Sequence, residues 1–242
     1  MPLGSQRQRG FLPMPPIYVP ISSPDQWKAL LAEPEKQWRT GFSARTIAHS
    51  WLAADGLPAE VSSLLASSAI QALSAVDPLL IIPEHKVLLP PMSGHPSQND
   101  VFVLGKGADG RLVSIAVEGK VSEAFGPTLG EWNQEPSRGK QTRLAYLIEL
   151  LSLQRDLPPE IRYQLLHRLA SAVIEAKRFG AMHAVMVVHS FSQSHEWFSD
   201  FEAFLSLFGS KAQVGALAWL YSAGEVSVYA GWAEGDPRFL AA

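Results

Sequence analysis

Between Ser97 and Pro127 the chain reads SQNDVFVLGKGADGRLVSIAVEGKVSEAFGP, two strand-like runs joined by a Gly-rich turn. Side chains of a strand alternate between the faces of its sheet with period two. Within Arg111–Val121 this puts Val113, Ile115, Val117 and Val121 on one face, and Leu112, Ser114, Ala116, Glu118 and Lys120 on the other. Two small residues followed by an acid and a base leave a hollow with a carboxylate and an ammonium at its end. The turn Ala108-Asp109-Gly110 suits a three-residue hairpin loop with Gly in the left-handed position. Pairing Gly107 with Arg111 then sets Asp100 opposite Glu118. Two neighbouring carboxylates repel and desolvate each other unless a cation or a proton lies between them. Lys120 neutralises only one of these charges. A hard divalent cation such as Mg²⁺, or Mn²⁺ in its place, is the expected partner for the rest, because such ions prefer carboxylate, carbonyl and water oxygens.

Asp100 followed by Glu118-Gly119-Lys120 resembles the D…E-x-K signature of the PD-(D/E)XK nuclease superfamily, which has the restriction-endonuclease-like fold. The position before the acid holds Asn99 where that signature has Pro. The resemblance implies Asp100 and Glu118 as metal ligands, the Gly119 carbonyl as a third, and Lys120 as a group that orients water or offsets charge. It further implies a Mg²⁺-dependent nuclease acting on nucleic acid. Members of that superfamily often act as dimers, so a homodimer is expected too.

Two other motifs in the same stretch carry no weight. Gly105-Lys106-Gly107-Ala108-Asp109-Gly110 matches G-x-G-x-x-G, but a dinucleotide fingerprint is followed by a helix and here a strand follows. A kinase reading fails for want of H-R-D and D-F-G, since His167-Arg168-Leu169 and Asp200-Phe201-Glu202 lack the required Asp or Gly.

The chain has 242 residues, 47% of them apolar and 18% charged, enough to bury a substantial core. Its net charge of −3 gives no global pull toward nucleic acid, so a polyanion would need a local basic patch. There is no cysteine, which excludes disulfides, thiolate nucleophiles and cysteine zinc sites, and agrees with a cytoplasmic protein. No apolar run approaches the length of a membrane span.

The prolines of residues 1–24 favour an extended arm. Residues 25–242 read as a single α/β domain. Within it, 25–78 is a helical layer, with helices expected from Asp25, over Glu35–Ala54 with a break near Gly41, and over Ala59–Ala75. Residues 79–190 form the nuclease-like core, with a first strand at Lys86–Leu89. Residues 191–242 add an aromatic helix over His195–Phe208 and a closing hairpin. Phe125–Lys140 reads as a long loop containing Trp132, and Pro158-Pro159-Glu160 opens the longest helix, Ile161–Phe179. Met182–His189 is a strand apolar on both faces. The sum is a three-layer sandwich around a central mixed sheet, with extra N-terminal helices.

Around the Asp…Glu-x-Lys group stand further candidates. Glu84 and Glu123 are additional acids. Gln164 and Arg168, one turn apart on a helix flank, are expected to contact substrate or water. Arg138, Lys140 and Arg143 would meet a phosphate backbone at a helix start. His183, His189 and His195 have a spacing that suits no zinc motif and read as satisfied or surface histidines. The competing reading is a domain of the same fold that binds nucleic acid or a protein without catalysis, using an exposed aromatic surface in the last third of the chain.

Overall fold

The computed structural model describes residues 21–92 and 94–242, so the arm expected over 1–24 lies almost wholly outside the described residues. The helices are α1 (Pro24–Lys28), α2 (Pro34–Gln37), α3 (Ser43–Ala53), α4 (Ala59–Ala66), α5 (Gln71–Ser74), α6 (Leu129–Trp132), α7 (Arg138–Leu150), α8 (Tyr163–Phe179) and α9 (Phe198–Ser206). The strands are β1 (Val76–Val87), β2 (Ser97–Gly107), β3 (Leu112–Lys120), β4 (His183–Ser190), β5 (Leu217–Ala223) and β6 (Val226–Glu234), and a 3₁₀ turn, Pro237–Ala241, closes the chain.

The six strands form one mixed sheet in the order β1-β2-β3-β4-β6-β5. β1, β2 and β3 are antiparallel neighbours, β3, β4 and β6 run parallel, and β5 returns antiparallel on β6. Residues 191–242 therefore widen the same sheet. Helices cover both faces, giving three layers. On one face α7, α8 and α9 pack over Ala116, Ala184, Met186, Val188, Val228 and Ala230. On the other, Trp27, Ile47, Trp51, Leu64 and Leu65 pack over Val101, Val103, Val113, Ile115, Val117, Val185 and Val187. The central strand β4 sends alternate residues into both cores, as its unbroken apolar run requires.

The hairpin forms as its sequence dictates. The Gly107 amide donates to the Arg111 carbonyl at 2.8 Å, Gly110 takes φ +83°, and Val101 pairs with Val117. Elsewhere the boundaries differ from those expected. β1 begins ten residues before its visible run, at Val76 rather than Lys86–Leu89; its Pro78 and Pro83 are tolerated because, among the described residues, β1 is an edge strand paired on one side only. The helix expected over Glu35–Ala54 does break around Gly41, into α2 and α3, whereas the one over Ala59–Ala75 stops at Ala66 before α5. The longest helix starts at Tyr163, because the Ile161 carbonyl accepts from the Leu129 amide and Arg162 bridges to Thr128. That bridge also orders the expected long loop: α6 begins inside it, closed by a reciprocal capping box between Thr128 and Glu131.

The aromatic residues of the last third are mostly interior. Phe201, Phe204 and Trp232 are buried, the Phe201 and Trp232 rings 5.7 Å apart, while Trp219 is exposed. The exposed aromatic surface expected there is absent for a simple reason: α9 is amphipathic, and its rings face β6.

Candidate functional site

The sheet opens where β2 and β3 part. Their ladder ends at Val101–Val117, and one residue further the Asp100 carboxylate takes the Gly119 amide itself, at 2.6 Å. A methyl at Gly119 would stand 3.0 Å from Ile47 Cδ1 and 3.2 Å from Asp100 Oδ2. The glycine of E-x-K thus lets an acid from the neighbouring strand lie directly against the backbone.

On the other side of Asp100, β1 turns over. Ile81 packs into the α3-side core, yet His85 lies 4.7 Å from the Phe102 ring and reaches Glu175 of α8 at 3.5 Å. Residues four apart in a regular strand share a face, so the alternation slips between them. The slip falls at Glu84, whose φ is +53°, a left-handed conformation that costs a non-glycine residue about 1–3 kcal/mol. Its carboxylate is thereby turned toward Asp100 and accepts from Gln98 Nε2 at 2.6 Å.

Glu118 is buried and its two oxygens are differently engaged. Oε1 accepts from Lys120 Nζ at 2.6 Å and from Gln164 Nε2 at 2.7 Å; Oε2 accepts from Arg168 Nε. The guanidinium is held in turn, Nη1 donating to Ser97 Oγ at 3.0 Å, and Ser97 Oγ lies 2.8 Å from His167 Nδ1. The Lys120 ammonium also sits 5.0 Å over the Phe125 ring.

Glu84, Asp100, Glu118, Lys120 and Glu123 all line one cleft of ≈ 320 Å³, whose opposite wall is Leu31 and the α2–α3 junction through Phe42 and Ser43. Three carboxylates, Glu84, Asp100 and Glu118, here face two buried cations, Lys120 and Arg168, while Lys36, which also lines the cleft, pairs with Glu33 at 3.0 Å. The electrostatics follow that imbalance. Burial works to raise Glu118, but Arg168 and Lys120 override it and hold it down to about 2. Asp100, with no cation of its own, is pushed well above the usual aspartate range by burial, then by Glu118 and Glu84. Glu84 is raised by burial too. His167 is driven well below the usual imidazole range by burial and by Arg168.

Among the described residues no group of three or more His, Cys, Asp or Glu side chains is arranged to hold a metal ion. Asp100, Glu118 and the Gly119 carbonyl supply two carboxylates and one carbonyl. That donor chemistry fits Mg²⁺ or Mn²⁺, since Mg²⁺ keeps several waters and takes one or two carboxylates from the protein.

The structure brings Asp100, Glu118, Gly119, Lys120, Gln164 and Arg168 together, and adds Glu84. Glu123 lies on the same cleft, but its carboxylate accepts from the Ser43 amide at 2.7 Å and the Val121 amide at 3.1 Å, capping α3 from a distance. The expected basic trio does not line the cleft. Arg143 is spent on the carbonyls of Leu89, Pro90 and His95, and Lys140 on the Glu135 carbonyl and the Trp132 ring. Arg138 is an exposed first residue of α7. Ser97 and His167 escaped the sequence reading. Ser97 sits three residues before Asp100 with no motif around it, and His167 stands next to Arg168, the one signal that pointed to it.

A second buried polar group lies on the far side of the sheet. Trp51 Nε1 donates to His189 Nδ1 at 3.2 Å, which leaves the imidazole proton on Nε2 to be donated to Glu60 Oε1 at 2.9 Å. His189 is a satisfied histidine, as its spacing suggested.

Fold and cleft define an α/β protein with an acidic, cation-braced hollow where two central strands diverge. The chain belongs to the family described as Domain of unknown function (DUF6946), whose model matches residues 20–237. No curated protein and no solved structure matches it. No helix among the described residues is long and apolar enough to cross a membrane.

Proposed function

We propose that the cleft is the active site of a metal-dependent phosphodiesterase, a nuclease of restriction-endonuclease-like fold acting on nucleic acid. The observation that carries this reading is the convergence of Asp100 with Glu118-Gly119-Lys120 on one cleft, the Asp100 carboxylate lying on the Gly119 amide. A mixed sheet with these strands adjacent in its middle, and a helix that delivers Gln164 and Arg168, further supports it.

Asp100 and Glu118, with the Gly119 carbonyl, would hold Mg²⁺ or Mn²⁺. When bound, such an ion supplies Lewis acidity to a phosphate oxygen and to the attacking water. The chain's own residues do the rest. Asp100 and Glu84 concentrate negative charge that draws a cation in. Lys120 is a donor at the cleft wall for a water or for charge developing on phosphate. Gln164 and Arg168 fix the rotamer of Glu118.

The test is cleavage of end-labelled single- and double-stranded DNA and RNA in Mg²⁺ or Mn²⁺, by wild type, Lys120→Ala and Asp100→Asn, each checked for folding by thermal melting. Cleavage reduced about 100-fold or more in both variants is expected, the scale of losing one group that stabilises transition-state charge. Cleavage unchanged in the variants, or none of any substrate by wild type, would contradict the reading.

One observation favours a non-catalytic domain binding nucleic acid or a protein instead: both Glu118 oxygens already have cationic donors, so the acid is neutralised without a metal. On that reading the cluster is purely structural, and divalent cations leave the protein unchanged.

A further inference from the structure

The two oxygens of Glu118 are not equivalent, and the difference bears on how the cleft accepts a cation. Arg168 approaches Oε2 from α8. It is buried, does not line the cleft, and is tied at a second point, Nη1 to Ser97 Oγ at 3.0 Å. Ser97 Oγ accepts from Arg168 and is itself held on its other side by His167, 2.8 Å from Nδ1 and 3.3 Å from the backbone carbonyl, to which it donates. The His167 ring stands against this hydroxyl. Its charge stays off because burial and Arg168 both oppose protonation. His167, Ser97, Arg168 and Glu118 Oε2 therefore form one connected hydrogen-bonded chain.

Lys120 holds Oε1 by a different kind of contact. It lines the cleft, and among the described residues its ammonium has one hydrogen-bonded acceptor, Glu118 Oε1 at 2.6 Å, with the face of Phe125 beneath it. An ammonium is a point charge on a flexible stem, whereas a guanidinium bound at two nitrogens is held in one geometry. Gln164 on the same oxygen is neutral.

We propose that Lys120 is an exchangeable counter-ion, which yields Glu118 Oε1 to a divalent cation entering from the cleft, while Arg168, positioned by Ser97 and His167, stays fixed on Oε2. This rests on the metal-site reading of the cleft but not on its nuclease activity. The exchange leaves the Lys120 ammonium free inside the cleft, beside the place where a phosphate would sit. Ser97 and His167 are positioning residues: they touch neither metal nor substrate and act through Arg168.

The direct test uses wild-type protein. Lysine ammonium and arginine Nε–H resonances are followed by ¹⁵N NMR as Mg²⁺ is added. The Lys120 signal is expected to shift or broaden away, while the Arg168 Nε–H signal keeps its hydrogen-bonded position. Loss of the Arg168 signal with Lys120 unmoved, or no change in either, overturns the proposal. Calorimetry with Mn²⁺ gives a second arm. Lys120→Met removes the competitor and binds Mn²⁺ on the order of tenfold more tightly, as expected when a cation is withdrawn from within ion-pair distance of a carboxylate. Ser97→Ala weakens binding about tenfold, the low end for losing a partner behind a metal ligand, and Ser97→Thr restores it. Weaker binding in Lys120→Met, or no effect of Ser97→Ala, contradicts the scheme. If these shifts occur and no nucleic acid is cleaved, the nuclease reading fails and the exchange stands.

Discussion

Two buried polar groups flank the same sheet, and they are built on opposite principles. At His189 the count closes: Trp51 gives one proton, Glu60 receives another, and the neutral imidazole between them satisfies both. At Glu118 the hydrogen bonds are complete but the pairing of charges is not, because among the described residues Asp100 and Glu84 have no ion-pair partner of their own and burial raises both. Buried polar groups that close their own account need nothing from outside. A buried cluster that leaves acids unpaired is where we propose a ligand is held, and the perturbed acids are what motivate the proposal.

The sharpest way to break this comparison is the same isosteric change in both groups. Glu118→Gln removes the one carboxylate that Arg168 and Lys120 both contact and should cost about 3–5 kcal/mol in urea unfolding, the range for breaking a buried pair from one side. Next in size is Gly119→Ala. Its methyl meets Ile47 and the Asp100 carboxylate at 3.0 and 3.2 Å, so a loss of roughly 1–3 kcal/mol is expected, as for overpacking a well-filled site. Asp100→Asn works the other way. The amide oxygen still accepts from Gly119 while the surplus charge goes, so metal-free protein should gain roughly 1 kcal/mol at neutral pH, a modest part of the several that opposed like charges cost. The smallest effect belongs to Glu60→Gln, under about 1 kcal/mol, because a neutral acceptor serves a neutral imidazole nearly as well. Equal losses for Glu118→Gln and Glu60→Gln would erase the distinction.

The two cleft acids also pull the pH dependence of stability in opposite directions. Glu118, held at about 2, contributes stability that is full above the ordinary glutamate range and is lost as pH falls from there toward 2. Asp100 is raised, so the folded state binds its proton more tightly than the unfolded chain does. Its penalty is absent below the ordinary aspartate range and grows as pH rises through its elevated value. The stabilisation in Asp100→Asn should therefore be larger at pH 7 than at pH 4, as paired unfolding curves would show.

The hairpin was legible because its turn chemistry, alternation and register are all local: Ala108-Asp109-Gly110 alone sets Val101 against Val117. β4 was legible from its doubly apolar run. What depends on a distant partner was not. The early start of β1 is invisible in the composition of Val76–Val87, which tolerates two prolines because none of the described residues pairs on its outer edge. Arg138, Lys140 and Arg143 read as a phosphate-facing patch, but the Arg143 guanidinium is consumed by three loop carbonyls, a role no charge pattern signals. At the site, the Asp…Glu-x-Lys spacing, Gln164 and Arg168 were readable by period. Ser97 and His167 enter only through contacts across about seventy residues of chain. Glu84 turns inward through a left-handed kink that an ordinary strand would not contain.

The central claim is that the surplus acid of this cleft exists to hold a divalent cation. Calorimetric titration of Mg²⁺ and Mn²⁺ into metal-free wild type and Asp100→Asn tests it most directly. Saturable binding by wild type that is lost in Asp100→Asn is the predicted result. Failure of both proteins to bind, or equal binding by both, would contradict it.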